Sequence, residues 1–391
     1  MDSQANALIP VGVVGAGTMG AGIAQVAAVA GHRVVVVDAD AAAANSVPGR
    51  VAGALERLAQ KGRITGAQRD AALGRLAAGR TLQDLAGAGL VIEAISEELS
   101  AKRGLMGSLG EVLAGGAVVA TNTSSLSVTA VAGAYRRPGK VLGMHFFNPA
   151  PAMELVEVVP ALQTSPDTVA EALALARAWG KDPIVVRDTP GFLVNRVARP
   201  FYGEALRMVE EGLARPEEVD AAVTAAGGFR MGPFELMDLI GNDVNHAVTE
   251  AIFQRTYFDR RYLPSALQRQ YVEAGYLGRK SGRGFYAYPP GPNGRPPVAE
   301  DQAQRITRRI LALLINEAAE AVRLGLAAPD DIERAMTKAT HYPKGLLRWA
   351  DEIGIGNVVG ELEALLERYG DPRYRPSPLL KSMAREGASF F

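Results

Sequence analysis

VGVVGAGTMGAGIAQVAAVAGHRVVVVDAD, residues 11–40, decides the architecture. An apolar run at 11–14 meets the glycine turn GAGTMG, an Ala-rich helical stretch follows to Ala30, and a second apolar run at 34–37 ends at Asp38. Short apolar runs on either side of a helix read as buried parallel strands. In this unit Gly15 permits the tight turn. Gly17 lets a phosphate approach the backbone, and Gly20 lets helix and strand pack closely. The helix N-terminus, beginning at Thr18 and Met19, offers N–H groups and a partial positive charge to an anion. Asp38 is placed to accept hydrogen bonds from a ribose. Asp40 beside it, with no arginine following, disfavours a 2′-phosphate, so the expected cofactor is NAD rather than NADP.

Further strand-like runs fall at 90–95, 118–121, 141–145, 155–159 and 184–187. Between Asp38 and Leu90 the spacing predicts two helices, 45–61 and 65–77, around Lys61-Gly62-Arg63. This excursion is longer than a simple crossover and can reach over a ligand. Lys61 and Arg63 are its candidate contacts to a substrate phosphate, with a solvated helix end as the competing reading.

At 391 residues the chain is too long for one ordinary core. Lys plus Arg and Asp plus Glu number 42 each, so no global field recruits nucleic acid or a membrane surface. There is no cysteine, which excludes disulfides, thiolate metal clusters and a cysteine nucleophile. No metal site, leader or membrane span is expected, and the cytoplasm is the expected location.

Thr189-Pro190-Gly191 ends the α/β pattern, and about 90 helical residues follow, through LGRKSGRGFYAY. PPGPNGRPP, Pro289 to Pro297, reads as a linker. The helical module then recurs. EALRMVEEGLARPEEVDAAV from Glu204 aligns with EAAEAVRLGLAAPDDIERAM from Glu317, and Gly232, Asp238 and Gly241 with Gly345, Asp351 and Gly354, at a spacing of 113 residues. RYLPSALQRQYVEAG from Arg261 echoes RYRPSPLLKSMAREG from Arg373. Asn195 maps onto Arg308, and GRKSGRGFY finds no counterpart, so the second copy reads as structural. The expected fold is an α/β Rossmann-type domain, 1–188, followed by two all-α domains, 189–288 and a degenerate copy at 298–391. The copies can pack face to face, which suits a monomer with an internal pseudo-dimer or a homodimer.

The chemistry concentrates in HFFNPAPAMELVE, His145 to Glu157. An alcohol gives up hydride only once its proton is removed, so its oxidation needs a general base. A histidine suits this near neutral pH when a carboxylate holds its other nitrogen in the right tautomer. His145 and Glu157 fill these roles, while Ser124 and Asn195 can donate hydrogen bonds to the reacting oxygen. All but Asn195 lie near strand ends, where open α/β sheets bind ligands.

In order, GAGTMGAGIA, VIEAISEEL, TNTSSL, HFFNPAPAMELVEVV, DTPGFLVNR, MGPFELMDLIG and GRKSGRGFY closely resemble the L-3-hydroxyacyl-CoA dehydrogenases, from residue 11 to about 288. The second module resembles the duplicated C-terminal domain of some members. The resemblance implies NAD-dependent, reversible oxidation of the 3-hydroxyl of an acyl-CoA thioester. It implies His145 and Glu157 as the catalytic pair and Ser124 and Asn195 as positioning groups. Gly15, Gly17, Thr18, Met19, Gly20 and Asp38 fall in the dinucleotide motif. Glu97, Lys102, Asn148 and Lys280 match positions approaching NAD or the reacting groups, Lys61 a CoA-contacting lysine, and Ala54 a position where relatives can carry a serine near CoA.

The rival on the same fold is a dehydrogenase of a free hydroxy acid, of the L-gulonate or crystallin-like kind; Lys61 and Arg63 favour CoA. The short-chain β-hydroxyacid dehydrogenases use a lysine four residues before an asparagine, where this chain has Gly191. Nucleotide-sugar dehydrogenases need a cysteine. A fused hydratase is not expected, since the motifs begin at residue 11. A non-catalytic NAD-binding protein would be expected to lack the His–Glu pair.

Overall fold

The computed structural model describes residues 8–289 and 297–391, so most of the expected linker lies outside the described residues. The chain divides into two compact units, Met1–Asp188 and Thr189–Phe391. Among the described residues no helix is long and apolar enough to cross a membrane.

The first unit interleaves strands β1 (Val11–Val14), β2 (Val34–Val37), β3 (Leu76–Ala78), β4 (Leu90–Glu93), β5 (Val118–Thr121), β6 (Val141–Phe146), β7 (Leu155–Pro160) and β8 (Asp182–Val185) with helices. These are α1 (Thr18–Val29), α2 (Ala41–Gln60), α3 (Gly66–Leu73), α4 (Leu99–Val112), α5 (Val128–Ala132) and α6 (Pro166–Ala178). The sheet order is β3-β2-β1-β4-β5-β6-β7-β8. β1 and β4–β6 are buried at every position, as a sheet covered on both faces requires. The chain leaves β1 toward β2 and later returns to β1's other side as β4. Their C-terminal ends, Val14 and Glu93, therefore flank the switch point where such sheets bind ligands.

Two elements differ from the periodicity. The helix expected to run to residue 77 stops at Leu73, and Leu76–Ala78 pairs in parallel with β2. Ala-rich sequence favours a helix locally, but pairing with a sheet edge overrides so weak a preference. β8 begins at Asp182, two residues before the apolar run, and includes Pro183, which an edge strand tolerates.

The second unit is all helical: α7 (Val194–Val197), α8 (Arg199–Glu210), α9 (Pro216–Gly227), α10 (Pro233–Ile240), α11 (Asn242–Arg255) and α12 (Ala266–Glu273), then α13 (Glu300–Arg323), α14 (Pro329–Lys338), α15 (Leu346–Ile353), α16 (Ile355–Tyr369) and α17 (Pro378–Glu386). Equivalent carboxylates organise both copies. Asp220 accepts the N–H groups of Phe234 and Glu235 at the start of α10. Glu333, 113 residues later, accepts those of Leu347 and Arg348 at the start of α15. Gly232 and Gly345 stand where a Cβ would lie 2.3 Å and 1.9 Å from these carboxylates, so both positions need glycine.

One expectation is corrected. The end of GRKSGRGFY does have a counterpart: Asp238 accepts the N–H groups of Phe285 and Tyr286, and Asp351 accepts those of Phe390 and Phe391. The second copy lacks the intervening loop, so the spacing falls from 113 to 105 residues and a gapless comparison misses the match.

The copies bind each other reciprocally. Tyr262 and Arg261 of the first copy bond Glu317 of the second, at 2.5 and 2.7 Å. Tyr374 and Arg309 of the second bond Glu204 of the first, at 2.7 and 2.5 Å. Tyr342 packs against Phe201 at a tilt and against Phe229 edge-on, and Phe229 stacks with Trp349. Tyr262 and Tyr374, like Glu204 and Glu317, are equivalent in the two copies. The counterpart of Arg309 is Arg196, which lies 3.8 Å from Glu317, whereas Arg261 is an added contact. A tyrosine–glutamate contact made once in each direction has the logic of a two-fold dimer interface. Residues 1–288 expressed alone should therefore dimerise or aggregate. Light scattering on the eluting species checks this, and a soluble monomer with the full-length melting temperature would refute it.

Candidate active site

The glycine turn separates what the chain needs from what a ligand needs. Gly15 has φ +108°, and its Cβ would lie 2.4 Å from the carbonyl oxygen of Ala94. A Cβ on Gly20 would lie 1.7 Å from the carbonyl oxygen of Gly15. Gly17 has an ordinary φ of −66°, and its Cβ would meet nothing within 4 Å. The fold leaves this third position open, on the side where a pyrophosphate would lie. No side chain caps α1, so the first-turn amides at Thr18 and Met19 are available to an anion. Asp38 is already engaged, accepting from Ala16 N at 2.6 Å and Asp40 N at 2.9 Å. Its carboxylate steadies the turn as well as standing where a ribose would reach.

A buried ionic network lies at the ends of β4 and β5. Glu93, fully buried, accepts from Lys102 Nζ at 2.6 Å, Thr121 Oγ1 at 2.6 Å and Ile95 N at 2.7 Å. Lys102 is itself 1% exposed and also reaches Glu97 at 3.4 Å. Glu97 in turn accepts from Thr123 Oγ1 at 2.6 Å, Ser124 N at 2.9 Å and Ser125 N at 3.1 Å. Burial pushes the Glu97 carboxyl up, but Lys102 and these donors outweigh it and hold it below the ordinary carboxylate range. Thus Glu97 is an anion at neutral pH, and its outer edge faces solvent beside Ser124.

His145 lies in β6 directly opposite Glu157 in β7, the one antiparallel pairing of the sheet. The ring Nδ1 and Glu157 Oε2 are 2.7 Å apart, and Glu157 is fully buried. An ionised carboxylate accepts only, so Nδ1 carries the hydrogen and Nε2 the lone pair. Phe147 packs on the ring with centroids 4.5 Å apart. Asn122 Oδ1 accepts from Phe146 N at 2.9 Å, tying the end of β6 to the segment after β5 that carries Ser124.

The first unit thus brings Gly15, Gly17, Gly20, Asp38, Glu97, Ser124, His145 and Glu157 to the strand ends, with Asn148 exposed in the loop after β6. Lys102 belongs to the interior of the network. Lys61 caps α2 and, with Arg63, is exposed. Asn195 and Lys280 belong to the second unit: Asn195 on α7, its carbonyl held by Arg199 Nε at 2.8 Å, and Lys280 paired with Asp243 at 2.6 Å. Sequence reasoning missed Glu93 and Asn122. A carboxylate closing the apolar run LVIE was the available signal for Glu93; Asn122 had none.

A glycine turn at the switch point of a doubly wound sheet, with a carboxylate-oriented histidine at its strand ends, defines an NAD-dependent dehydrogenase. The comparisons narrow the class. The NAD binding domain of 3-hydroxyacyl-CoA dehydrogenase matches residues 10–189, and the C-terminal domain of the same family matches 191–288 and again 306–389. The chain belongs to the 3-hydroxyacyl-CoA dehydrogenase family. It is 36% identical to 3-hydroxyadipyl-CoA dehydrogenase of Escherichia coli strain K12, over 96% of this chain and 97% of that one. A probable 3-hydroxybutyryl-CoA dehydrogenase of Bacillus subtilis strain 168 is 42% identical over 71% of this chain and 96% of its own length. The crystal structure of a 3-hydroxybutyryl-CoA dehydrogenase from Escherichia coli K12 superimposes with a TM-score of 0.92 at 36% identity, over 97% of this chain and 98% of that one.

Lys102→Met should destabilise the protein by about 3–5 kcal/mol, because it strands the fully buried Glu93 charge. The double variant Glu93→Leu with Lys102→Met should recover part of that loss. Urea unfolding measures both, and a single variant within 1 kcal/mol of wild type, roughly the worth of an exposed pair, would contradict the network's importance.

Proposed function

We propose that His145 is the general base that deprotonates the 3-hydroxyl of an L-3-hydroxyacyl-CoA, oriented by Glu157. The observation that carries this reading is the 2.7 Å bond between His145 Nδ1 and the buried Glu157. It selects the tautomer with a basic Nε2, and it stabilises the imidazolium once the proton arrives. NAD+, when bound, supplies the hydride acceptor for the hydrogen on C3. Gly17, the open N-terminus of α1 and Asp38 would hold it, as their geometry suits a pyrophosphate and a ribose. Ser124 and Asn195 donate hydrogen bonds to the oxygen as it passes from hydroxyl to carbonyl. In the reverse direction the protonated His145 returns its proton to that oxygen. Lys61 and Arg63, exposed cations at the turn after α2, are the proposed contacts to CoA phosphates.

His145→Gln should lower turnover of acetoacetyl-CoA with NADH by roughly two to four orders of magnitude, the usual worth of a general base. NADH binding, followed by fluorescence, should be retained. Near-normal turnover would mean that another group takes the proton. Asp38 and Asp40 together set cofactor choice, so NADPH should be used far more poorly than NADH. Equal rates would sink that assignment.

A further inference from the structure

Arg50, on the exposed side of α2, reaches across the first unit to the cofactor turn. Its Nη2 donates to the carbonyl oxygen of Gly17 at 2.8 Å, over a separation of 33 residues. Packing explains the reach. Val47 and Val51 of α2 are buried in one core cluster with Ala21, Ala24 and Ala28 of α1, and small side chains let helices approach closely. The adjacent Arg50 is thereby carried to the N-terminal end of α1, where Gly17 is the N-cap. Holding a long exposed side chain on one partner costs rotamer freedom. Here the partner is a carbonyl that already accepts from Ala21 N at 3.0 Å. Among the described residues no carboxylate pairs with Arg50, and its Nε and Nη1 have no protein partner. The nearby acids are engaged otherwise: Asp38 holds the amides of Ala16 and Asp40, and Asp40 caps α2 through the amide of Ala42. The contact with Gly17 orients the guanidinium but does not neutralise it. Charge at the strand ends otherwise runs the other way. Asp38 and Asp40 follow β2, Glu97 follows β4 as an anion, and Lys102 is held by Glu93 and Glu97. A pyrophosphate brings a negative charge on each phosphate, and the partial charge at the start of α1 is a weak counterweight.

We propose that Arg50 is a further cofactor-binding residue, whose guanidinium, held by the Gly17 carbonyl, donates its remaining N–H groups to the pyrophosphate of NAD. The assignment rests on the reading above, in which Gly17 and the first turn of α1 receive that group. One arm of the fork fixes the side chain while the others meet the phosphate, a division that the planar guanidinium allows and an ammonium does not. Because the backbone already orders the side chain, less freedom is lost when the cofactor binds. Arg50 thus supplies a full positive charge to a turn otherwise bordered by Asp38 and Asp40.

The test follows NADH binding to the full-length protein by fluorescence, with ADP-ribose as a competing probe that keeps the pyrophosphate and lacks the nicotinamide. Arg50→Met should raise the Kd of both by about 10-fold, the worth of one charge-assisted hydrogen bond at an exposed site. Its Kd for NADH should also rise less steeply with added salt than that of wild type, because one screened charge pair is gone. A side chain that merely braced α2 would change the melting temperature and leave the salt slope alone. Arg50→Lys, which keeps the charge and loses the fork, should fall between the two. Unchanged Kd values in Arg50→Met, or a rise for NADH not shared by ADP-ribose, would overturn the proposal. So would a selective rise in the KM of acetoacetyl-CoA, which assigns Arg50 to the phosphates of CoA, or a larger loss for NADPH than for NADH, which assigns it to a 2′-phosphate. Gly17→Ala separates the proposal from the reading beneath it. The added Cβ meets nothing within the protein, so NADH binding should weaken without a fall in melting temperature. Normal NADH binding in Gly17→Ala removes the turn as the phosphate site and the proposal with it. Weakened binding there, with unchanged binding in Arg50→Met, removes the proposal alone.

Discussion

The antiparallel pairing of β6 with β7 is the constraint on which the site depends. In a wholly parallel sheet, a strand following His145 would need a long crossover, and its residues would run past the histidine in the same direction. The reversal lets a short loop bring Glu157 back to the rung opposite His145, with both side chains on one face of the sheet. Cross-strand partners in an antiparallel ladder lie close enough for a direct hydrogen bond. Backbone pairing therefore sets the orientation of the imidazole before any ligand arrives, and Glu157 is too deeply buried to exchange its partner for water.

Around this pair, the first unit spends its polar groups on alignment. Glu93 and Lys102 form an ion pair in the interior that fixes the end of β4 relative to α4, and through Lys102 it orders Glu97. Glu97 gathers the amides and hydroxyls of Thr123, Ser124 and Ser125 around one carboxylate, which shapes the loop after β5. Asn122 then pins this segment to the backbone of β6. Three strand ends are thus coupled by hydrogen bonds whose low-dielectric setting makes a missing partner expensive.

The second unit applies similar chemistry to a duplicated fold. Each copy caps an internal helix with a buried carboxylate and closes on a second one, Asp238 or Asp351. Each also sends a tyrosine and an arginine to a glutamate of the other. What the second copy has lost is the loop equivalent to the one bearing Lys280, and the asparagine equivalent to Asn195. Packing residues survive in both copies, whereas the polar groups read as functional survive in one.

Much of this was legible in the order of the residues. The strands at 11–14, 34–37 and 118–121 fall where the apolar runs place them, because a strand buried on both faces has nearly the same composition as its surroundings require. Gly15 and Gly20 were legible for a similar reason, since a positive φ and a close carbonyl leave room for no other residue. The repeat was legible because capping and packing demand the same residue types in each copy. Tertiary structure decided the rest. Leu76–Ala78 became a strand only because β2 offered an edge, and Phe390 and Phe391 met Asp351 only once a missing loop had shortened the path. That Glu93, Lys102 and Glu97 form one network follows from burial and from contacts between distant segments. Local sequence records which groups are charged; the folded chain alone determines which of those charges are desolvated, and by what they are answered.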